Sequence, residues 1–302
     1  MQRAVTPFDR VVLLGFGGPE SAQEIRPFLD RVLEGRNVPR ARYEAVVGNY
    51  ELIGGKSPFN ELTRRQAHAL QRELHARGHD IPVEVGYLYA APFARDLAAR
   101  LDANELRRTV AVILSAFQSA ASWERYQLLN GARYTPPLAK NEGYAHAYVQ
   151  CLAQALAKLD AADFSGVAVI FTAHSIPQSM TDASLYASQF METAERIAHH
   201  AGAPDWTAAY QSRSGQPADP WLEPDVREVL KQLPGRGIDK AIVAPIGFLC
   251  DHVEVLYDLD VDAAQIAREA GVQMARAPTV SDRPLFIGML ADLVERCAEL
   301  PS

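Results

Sequence analysis

The chain has 302 residues, of which 48% are hydrophobic and 22% are charged, as is typical of a globular protein. Its 37 acidic residues outnumber its 30 Lys and Arg residues, and no basic block occurs, so nucleic acid is not an expected partner. No apolar run reaches the roughly 18 residues that a membrane-spanning helix needs. The N-terminal segment predicts a first strand and not a signal peptide, so we expect a cytoplasmic protein.

Short β-rich runs alternate with longer helical patterns along the whole chain, which predicts parallel sheets flanked by helices. Ligands of such sheets bind beyond the carboxyl ends of the strands. A boundary near residue 162 would give two α/β halves of similar size, 1–162 and 163–302. The predicted strands are residues 11–14, 82–87, 109–115, 167–172, 207–211, 240–246 and 272–276.

Two glycine-rich segments resemble nucleotide-binding motifs but lack essential residues. Residues 15–20 begin like a dinucleotide fingerprint, yet Glu20 stands where the third glycine belongs. Residues 54–57 end like a phosphate-binding loop, but Tyr50 replaces the upstream glycine and Pro58 follows directly. Nucleotide binding is therefore not predicted.

Several polar and aromatic residues near predicted strand ends are candidates for contact with a flat, carboxylate-bearing ligand. Ser57 and Arg36 could hold carboxylates, although a solvated basic face explains the arginine equally well. Tyr126 follows the third predicted strand, and Trp221 lies in a loop rich in proline. Core packing is the alternative for aromatic residues at such positions.

His174 follows the buried strand predicted at residues 167–172, and Pro177 stops that strand from continuing. A histidine there can exchange a proton near neutral pH or bind a metal. A structural hydrogen-bonding role is the alternative.

Three acids follow the strand predicted at residues 240–246. If the segment from Val253 is helical, then Glu254, Asp258 and Asp262 recur every four residues and form one stripe about 12 Å long. Such oxygen ligands suit divalent cations. The alternative is a capping box formed by Asp251 and Glu254.

Six motifs along residues 11–294 resemble the ferrochelatase family in content and order. The resemblance is closest to the bacterial branch that acts on coproporphyrin III. It implies an α/β, chelatase-like fold of two Rossmann-like domains with a porphyrin cleft between them, in which the last helix could pack back on the first domain. The motifs are LLGFGGPES, IGGKSPFNELT, TAHSIPQSM, YQSRSGQPADPWLEPDV, PIGFLCDHVEVLYDLD and APTVSDRPLF.

The resemblance implies insertion of Fe(II) into a porphyrin, with coproporphyrin III preferred or protoporphyrin IX as substrate. His174 and Glu254 match the catalytic, metal-facing pair, and Asp258 and Asp262 match further metal ligands. Phe16 stands where some of this branch have a metal-approaching tyrosine. The substrate contacts expected from the resemblance and the residue patterns together are Ser57, Tyr126, Arg36, Trp221 and Phe16.

The same resemblance leads to expectations about cofactors and partners. Some relatives hold an iron-sulfur cluster on four cysteines, but this chain has only Cys151, Cys250 and Cys297, far apart, so no cluster is predicted. We expect no permanently bound cofactor, a monomer, and a transient haem-accepting partner. The alternative functions are a noncatalytic tetrapyrrole or haem carrier and a chelatase for another metal, such as cobalt.

Overall fold

Two parallel sheets of four strands each form the frame of the molecule. A computed structural model describes residues 8–120, 122–180, 182–214 and 219–299. Strand orders are β2-β1-β3-β4 and β6-β5-β7-β8, so both halves repeat one arrangement. The strands are β1 Arg10–Gly15, β2 Val83–Tyr87, β3 Thr109–Ile113, β4 Arg133–Tyr134, β5 Val167–His174, β6 Trp206–Gln211, β7 Lys240–Ala244 and β8 Gln273–Arg276.

Helices cover both sheets, and no helix among the described residues is long and apolar enough to span a membrane. Strand β7 leads into a short helix, a π-helical segment at Asp258–Ala263, and a further helix. The helices are α1 Ala22–Val32, α2 Arg40–Leu52, α3 Phe59–Ala76, α4 Ala94–Arg100, α5 Ala103–Arg107, α6 Glu142–Lys158, α7 Ala183–Ala201, α8 Val226–Gln232, α9 Val253–Leu256, α10 Ala264–Glu269 and α11 Pro284–Glu299.

The predicted fold class and the seven predicted strands are confirmed, with strand ends shifted by no more than two residues. Central strands β1, β3, β5 and β7 are buried almost throughout, which is why they are continuous apolar runs in the sequence. The eighth strand, β4, was missed because it has only two residues.

Helices α6 and α11 each pack across the predicted boundary near residue 162. Helix α6 contacts β7 and β8 of the second sheet, while α11 contacts α3 and β3 of the first half. One apolar cluster runs continuously through both halves. The division into domains at that residue stays a prediction, because each half contributes a helix to the core of the other.

Buried tyrosines of α6 fix the loop that follows β7. The Tyr148 hydroxyl lies 2.9 Å from the Pro245 carbonyl oxygen and 2.6 Å from that of Phe248. The Tyr144 hydroxyl donates to the Ile246 carbonyl oxygen over 2.7 Å. The path of this loop is therefore set by polar contacts inside the core.

We expect Tyr148→Phe to lower the free energy of unfolding by about 1–3 kcal/mol, because buried carbonyl oxygens lose their donor. Urea unfolding followed by circular dichroism measures the change. Tyr43→Phe is the matched control, since the Tyr43 hydroxyl donates to Asp30 at the surface. Equal effects of the two substitutions would contradict a special role for the buried hydroxyl.

Candidate active site

The carboxyl ends of β5 and β6 place His174 at the edge of the second sheet. His174 is the last residue of β5 and lies in register with Gln211 of β6. Its backbone oxygen accepts a hydrogen bond of 3.0 Å from the Tyr186 hydroxyl of α7. The imidazole Nδ1–H donates to the Ser175 carbonyl oxygen. These contacts hold the backbone oxygen and Nδ1, so Nε2 is the ring nitrogen that remains for contact with other residues.

The loop after β7 brings Glu254 to this histidine. Gly247 packs so closely on β5 that an added Cβ would lie 2.8 Å from the Ala173 Cα, so only glycine fits there. Glu254 follows in the first turn of α9, and its backbone oxygen accepts a hydrogen bond of 2.6 Å from the Gln211 side chain. The Glu254 Oε1 lies 3.4 Å from the His174 Nε2. The catalytic residues suggested by the sequence therefore meet.

This pair is accessible to a ligand and strongly coupled. The His174 and Glu254 side chains are 29% and 39% exposed. Burial is the largest single effect on the pKa of His174 and lowers it, but the Glu254 charge, the contact with its carboxylate, the hydrogen bond to Ser175 and the Asp258 charge together raise that pKa above its ordinary value. Burial is also the largest single effect on the pKa of Glu254 and raises it, but the charge and contact of His174, with smaller contributions from His252 and Arg42, together lower that pKa. Without a ligand, the two side chains form an imidazolium–carboxylate ion pair at neutral pH.

The capping-box alternative for Glu254 is wrong. Residue His252, and not Asp251, is the N-cap of α9, and its Nδ1 accepts a hydrogen bond of 3.3 Å from the Glu254 backbone N–H. The Asp251 carboxylate instead pairs with Arg276 at 3.1 Å and accepts from the Thr279 hydroxyl at 3.0 Å. The Glu254 carboxylate is thus left to face His174.

The predicted α-helical stripe of three acids is also wrong in its geometry. Only Val253–Leu256 is α-helical, and the backbone then widens into the π-helical segment, where the Asp262 N–H donates to the Tyr257 carbonyl oxygen over 2.9 Å. The Ser212 hydroxyl donates to Asp258, whereas Asp262 lies 3.4 Å from Arg227. A single π-turn of this kind often occurs at functional sites. Asp258 and Asp262 therefore have different partners.

Burial raises the pKa of Asp258 to about 7. The folded chain therefore keeps a proton that the unfolded chain loses near pH 3.9, so this group makes the protein less stable as pH rises from roughly 4 to 7. Asn cannot ionise. We expect Asp258→Asn to be more stable, relative to the wild type, at pH 8 than at pH 5.

Urea unfolding of both proteins at the two pH values measures this difference. Asp260→Asn is the control for removing charge from the same segment, because Asp260 instead pairs with Arg276 at 2.6 Å. The prediction is contradicted if the stability difference between Asp258→Asn and the wild type is the same at pH 5 and at pH 8. The Asp258 carboxyl would then not be buried in its protonated form.

Residues of the first half lie close to the His174–Glu254 pair. Val253 packs against the apolar cluster of α1 and α2. The Phe59 ring lies 6.1 Å from the His252 ring, and the Glu254 charge contributes to raising the pKa of Tyr50, after burial as the main cause. The charged pair therefore lies where the two halves of the chain meet.

The five predicted substrate contacts have different surroundings, and their roles stay predictions. Phe16 is 38% exposed and packs against Tyr89 in a tilted arrangement, with ring centroids 4.7 Å apart. Trp221 is buried beside the segment after His174, since it forms a β-bridge with Pro177. Residues 215–218 of its loop lie outside the described ranges. Of the other three, Ser57 and Tyr126 are buried and Arg36 is exposed.

Sequence reasoning missed two neighbours of the catalytic pair, His252 and Gln211. Burial lowers the pKa of His252, so its imidazole is neutral. Gln211 supports Glu254 through its amide N–H, while its side-chain oxygen is buried with no hydrogen-bond partner among the described residues. The signal for Gln211 was its place at the end of a predicted strand, and that for His252 was its position two residues before Glu254.

Comparison with known proteins gives the family of the chain. A sequence profile of the ferrochelatase family matches residues 9–298. The coproporphyrin III ferrochelatase of Frankia alni is 40% identical over 321 residues, covering 97% of this chain and 81% of the relative. The ferrochelatase of Rhodopirellula baltica is 37% identical over 303 residues, covering 96% of this chain and 86% of the relative.

A solved structure also shares the fold. CbiX, described as the terminal enzyme of sirohaem biosynthesis in denitrifying bacteria, gives a TM-score of 0.56 at 18% identity, covering 97% of this chain and 100% of that chain. At this identity the likeness concerns the fold alone. The match of the family profile and the identity to the two relatives show that the chain belongs to the ferrochelatase family.

Proposed function

We propose that the chain inserts Fe(II) into a porphyrin, with coproporphyrin III as the preferred substrate. The observation that carries this proposal is the distance of 3.4 Å between His174 Nε2 and Glu254 Oε1 in a partly exposed site between the halves. A mixed imidazole and carboxylate set suits Fe(II), which is a substrate here and not a resident cofactor. The family membership of the chain supports the same reaction.

His174 and Glu254 can remove the pyrrole protons that must leave the macrocycle before it binds the metal. In the ion pair His174 already holds a proton, so it cannot accept another until that proton leaves. An arriving dication disfavours the imidazolium, because a nearby metal charge reverses the local electrostatics. Proton release to solvent is possible because both side chains remain partly exposed.

Asp258 and Asp262 are suited to passing the ion onward and not to retaining it. Each already has a protein partner, Ser212 for the first and Arg227 for the second. Retention of iron would require a more complete set of unpaired ligands. We infer that these acids exchange with the iron's water ligands as it approaches Glu254.

Basic residues of the first half support a substrate with several carboxylates. The Arg125 guanidinium donates to the Tyr89 hydroxyl over 2.9 Å, next to Phe16. Burial raises the pKa of Glu254, and the Arg42 charge helps to lower it, after the larger lowering effects of His174 and His252. Coproporphyrin III carries more propionate groups than protoporphyrin IX. Arginine pairs well with such carboxylates.

The test is anaerobic insertion of Fe(II) into coproporphyrin III and into protoporphyrin IX, followed by absorbance. Faster insertion into coproporphyrin III is expected. Faster insertion into protoporphyrin IX would contradict the substrate preference, and porphyrin binding without insertion would indicate a carrier. Parallel assays with Co(II) and Zn(II) distinguish a cobalt chelatase, although zinc insertion in vitro does not identify the physiological metal.

A monomeric state and transfer of the haem to an accepting protein complete the proposal. Sedimentation of the purified chain tests the first, and a change in the haem spectrum on addition of a candidate acceptor tests the second.

A further inference from the structure

A group of metal-ligating side chains lies outside the cleft, where the first turn of α6 meets the last turn of α7. Glu142 and His146 come from α6, and His200 comes from α7. One potential ligand atom of each residue lies within 4.8 Å of those of the other two. All three side chains are exposed. Nothing in the proposed insertion reaction uses them.

The helices fix this arrangement. Residues four apart share one face of a helix, which places Glu142 and His146 side by side. The Asn141 side chain caps α6 by accepting from the Gly143 N–H over 2.8 Å, so this first turn is well ordered. His200 approaches from the neighbouring helix, with its Nε2 3.0 Å from the Glu142 Oε2. The His146 and His200 ring centroids are 4.8 Å apart.

These separations suit a divalent cation. Metal–ligand bonds of about 2.0–2.2 Å in a tetrahedral site leave ligand atoms about 3.4 Å from one another. The Glu142 and His200 atoms are already near that spacing, and rotation of exposed side chains can bring the third ligand in. A cavity of about 480 Å³ beside them leaves room for water to complete the coordination.

The neighbours of Glu142 favour a single-oxygen ligand. The Arg196 Nε lies 3.4 Å from Oε1 of that carboxylate and leaves Oε2 directed at His200. Partners of this kind orient metal ligands in proteins. Glu192 and Glu195 line the same cavity, and their negative charges offset the guanidinium.

We propose that Glu142, His146 and His200 form a second divalent-cation site that clamps α6 to α7. Its two imidazoles and one carboxylate suit borderline ions such as Zn²⁺, Co²⁺ or Ni²⁺. Along α7, His200 is 14 residues from Tyr186, or about 21 Å, so this site is separate from the catalytic pair.

A cation bound there would stabilise both helices that hold the catalytic pair in place. Helix α7 holds the backbone of His174 through the Tyr186 hydroxyl, and α6 holds the loop before Glu254 through Tyr144 and Tyr148. A cation that joins the two helices therefore stabilises the elements on which the pair depends, without contacting the pair.

Zinc titration by calorimetry on the tag-free chain tests the site. A His174→Ala, Glu254→Gln double variant removes the catalytic ligands and is expected to bind one Zn²⁺. Adding His200→Ala or, separately, His146→Ala should weaken zinc binding by at least about tenfold. Even residues that only hydrogen-bond to a metal ligand change metal affinity by about that factor. In the same double variant, saturating Zn²⁺ should raise the thermal midpoint by a few degrees, and His200→Ala should abolish this rise.

His75→Ala in the same double-variant background is the matched control, because His75 is an exposed histidine that lies 3.5 Å from Asp80, far from this cluster in the sequence. It should leave zinc binding unchanged. The proposal is overturned if the double variant binds no Zn²⁺, or if its binding is equally strong after both His200→Ala and His146→Ala. Circular dichroism verifies that every variant is folded.

Discussion

His174→Ala is expected to lower the rate of Fe(II) insertion by about 10²–10⁴-fold, the usual contribution of a positioned acid–base group. The substitution removes the imidazole that lies 3.4 Å from Glu254. The backbone oxygen of residue 174 still accepts from Tyr186, so the end of β5 should keep its position. The anaerobic insertion assay measures the rate, and porphyrin fluorescence quenching measures binding, which should be retained.

Two comparisons separate this chemical role from a structural one. Added imidazole should restore part of the rate in His174→Ala, because the substitution leaves a space beside Glu254. His75→Ala, the surface control, should insert iron at the wild-type rate. Unchanged insertion by His174→Ala would exclude the proposed role of this imidazole in the reaction.

Much of the frame was predictable because the central strands are buried on both faces. Strands β5 and β7 are continuous apolar runs in the sequence, and the carboxyl ends of parallel strands lie at one edge of their sheet. That rule placed His174 at the site from its position alone. Pairing it with Glu254 required the family resemblance, because the two residues are 80 positions apart.

Local pattern failed where long-range contacts decide the backbone. A spacing of four predicted a regular helix through Asp258 and Asp262, but hydrogen bonds to Ser212 and Arg227 from other elements accompany a π-turn there. The capping box failed likewise, since Arg276 and Thr279 hold Asp251. Such partners come from distant positions, so no window of sequence could reveal them.

The cluster on α6 and α7 shows the same limit. His200 and its neighbour His146 lie 54 residues apart in the sequence. The relative position of two helices, and not the pattern within either, creates that group. By contrast, Glu254 could be recognised as a candidate from its neighbouring residues, but its pairing with His174 could not.

Glu254→Gln is expected to reduce insertion by about 10²–10⁴-fold while the fold survives. Glutamine keeps the size of the side chain and the backbone contacts of α9, including the hydrogen bond from Gln211. It removes the negative charge that raises the pKa of His174. The hydrogen bond to Ser175 and the Asp258 charge still raise that pKa, but burial remains the largest effect, so the pKa of His174 should fall from its raised value.

Titration of the His174 imidazole by NMR measures this change apart from activity. In the wild type the ion pair stabilises the fold between the ordinary pKa values of glutamate and histidine, and this contribution disappears as pH rises through the raised pKa of His174. Glu254→Gln should therefore differ in stability from the wild type more at pH 6 than at high pH. Asp260→Asn should leave the His174 titration unchanged, because the Asp260 carboxylate pairs with Arg276 and not with the histidine. A wild-type insertion rate in Glu254→Gln would show that the carboxylate has no part in the reaction, whatever its effect on the histidine.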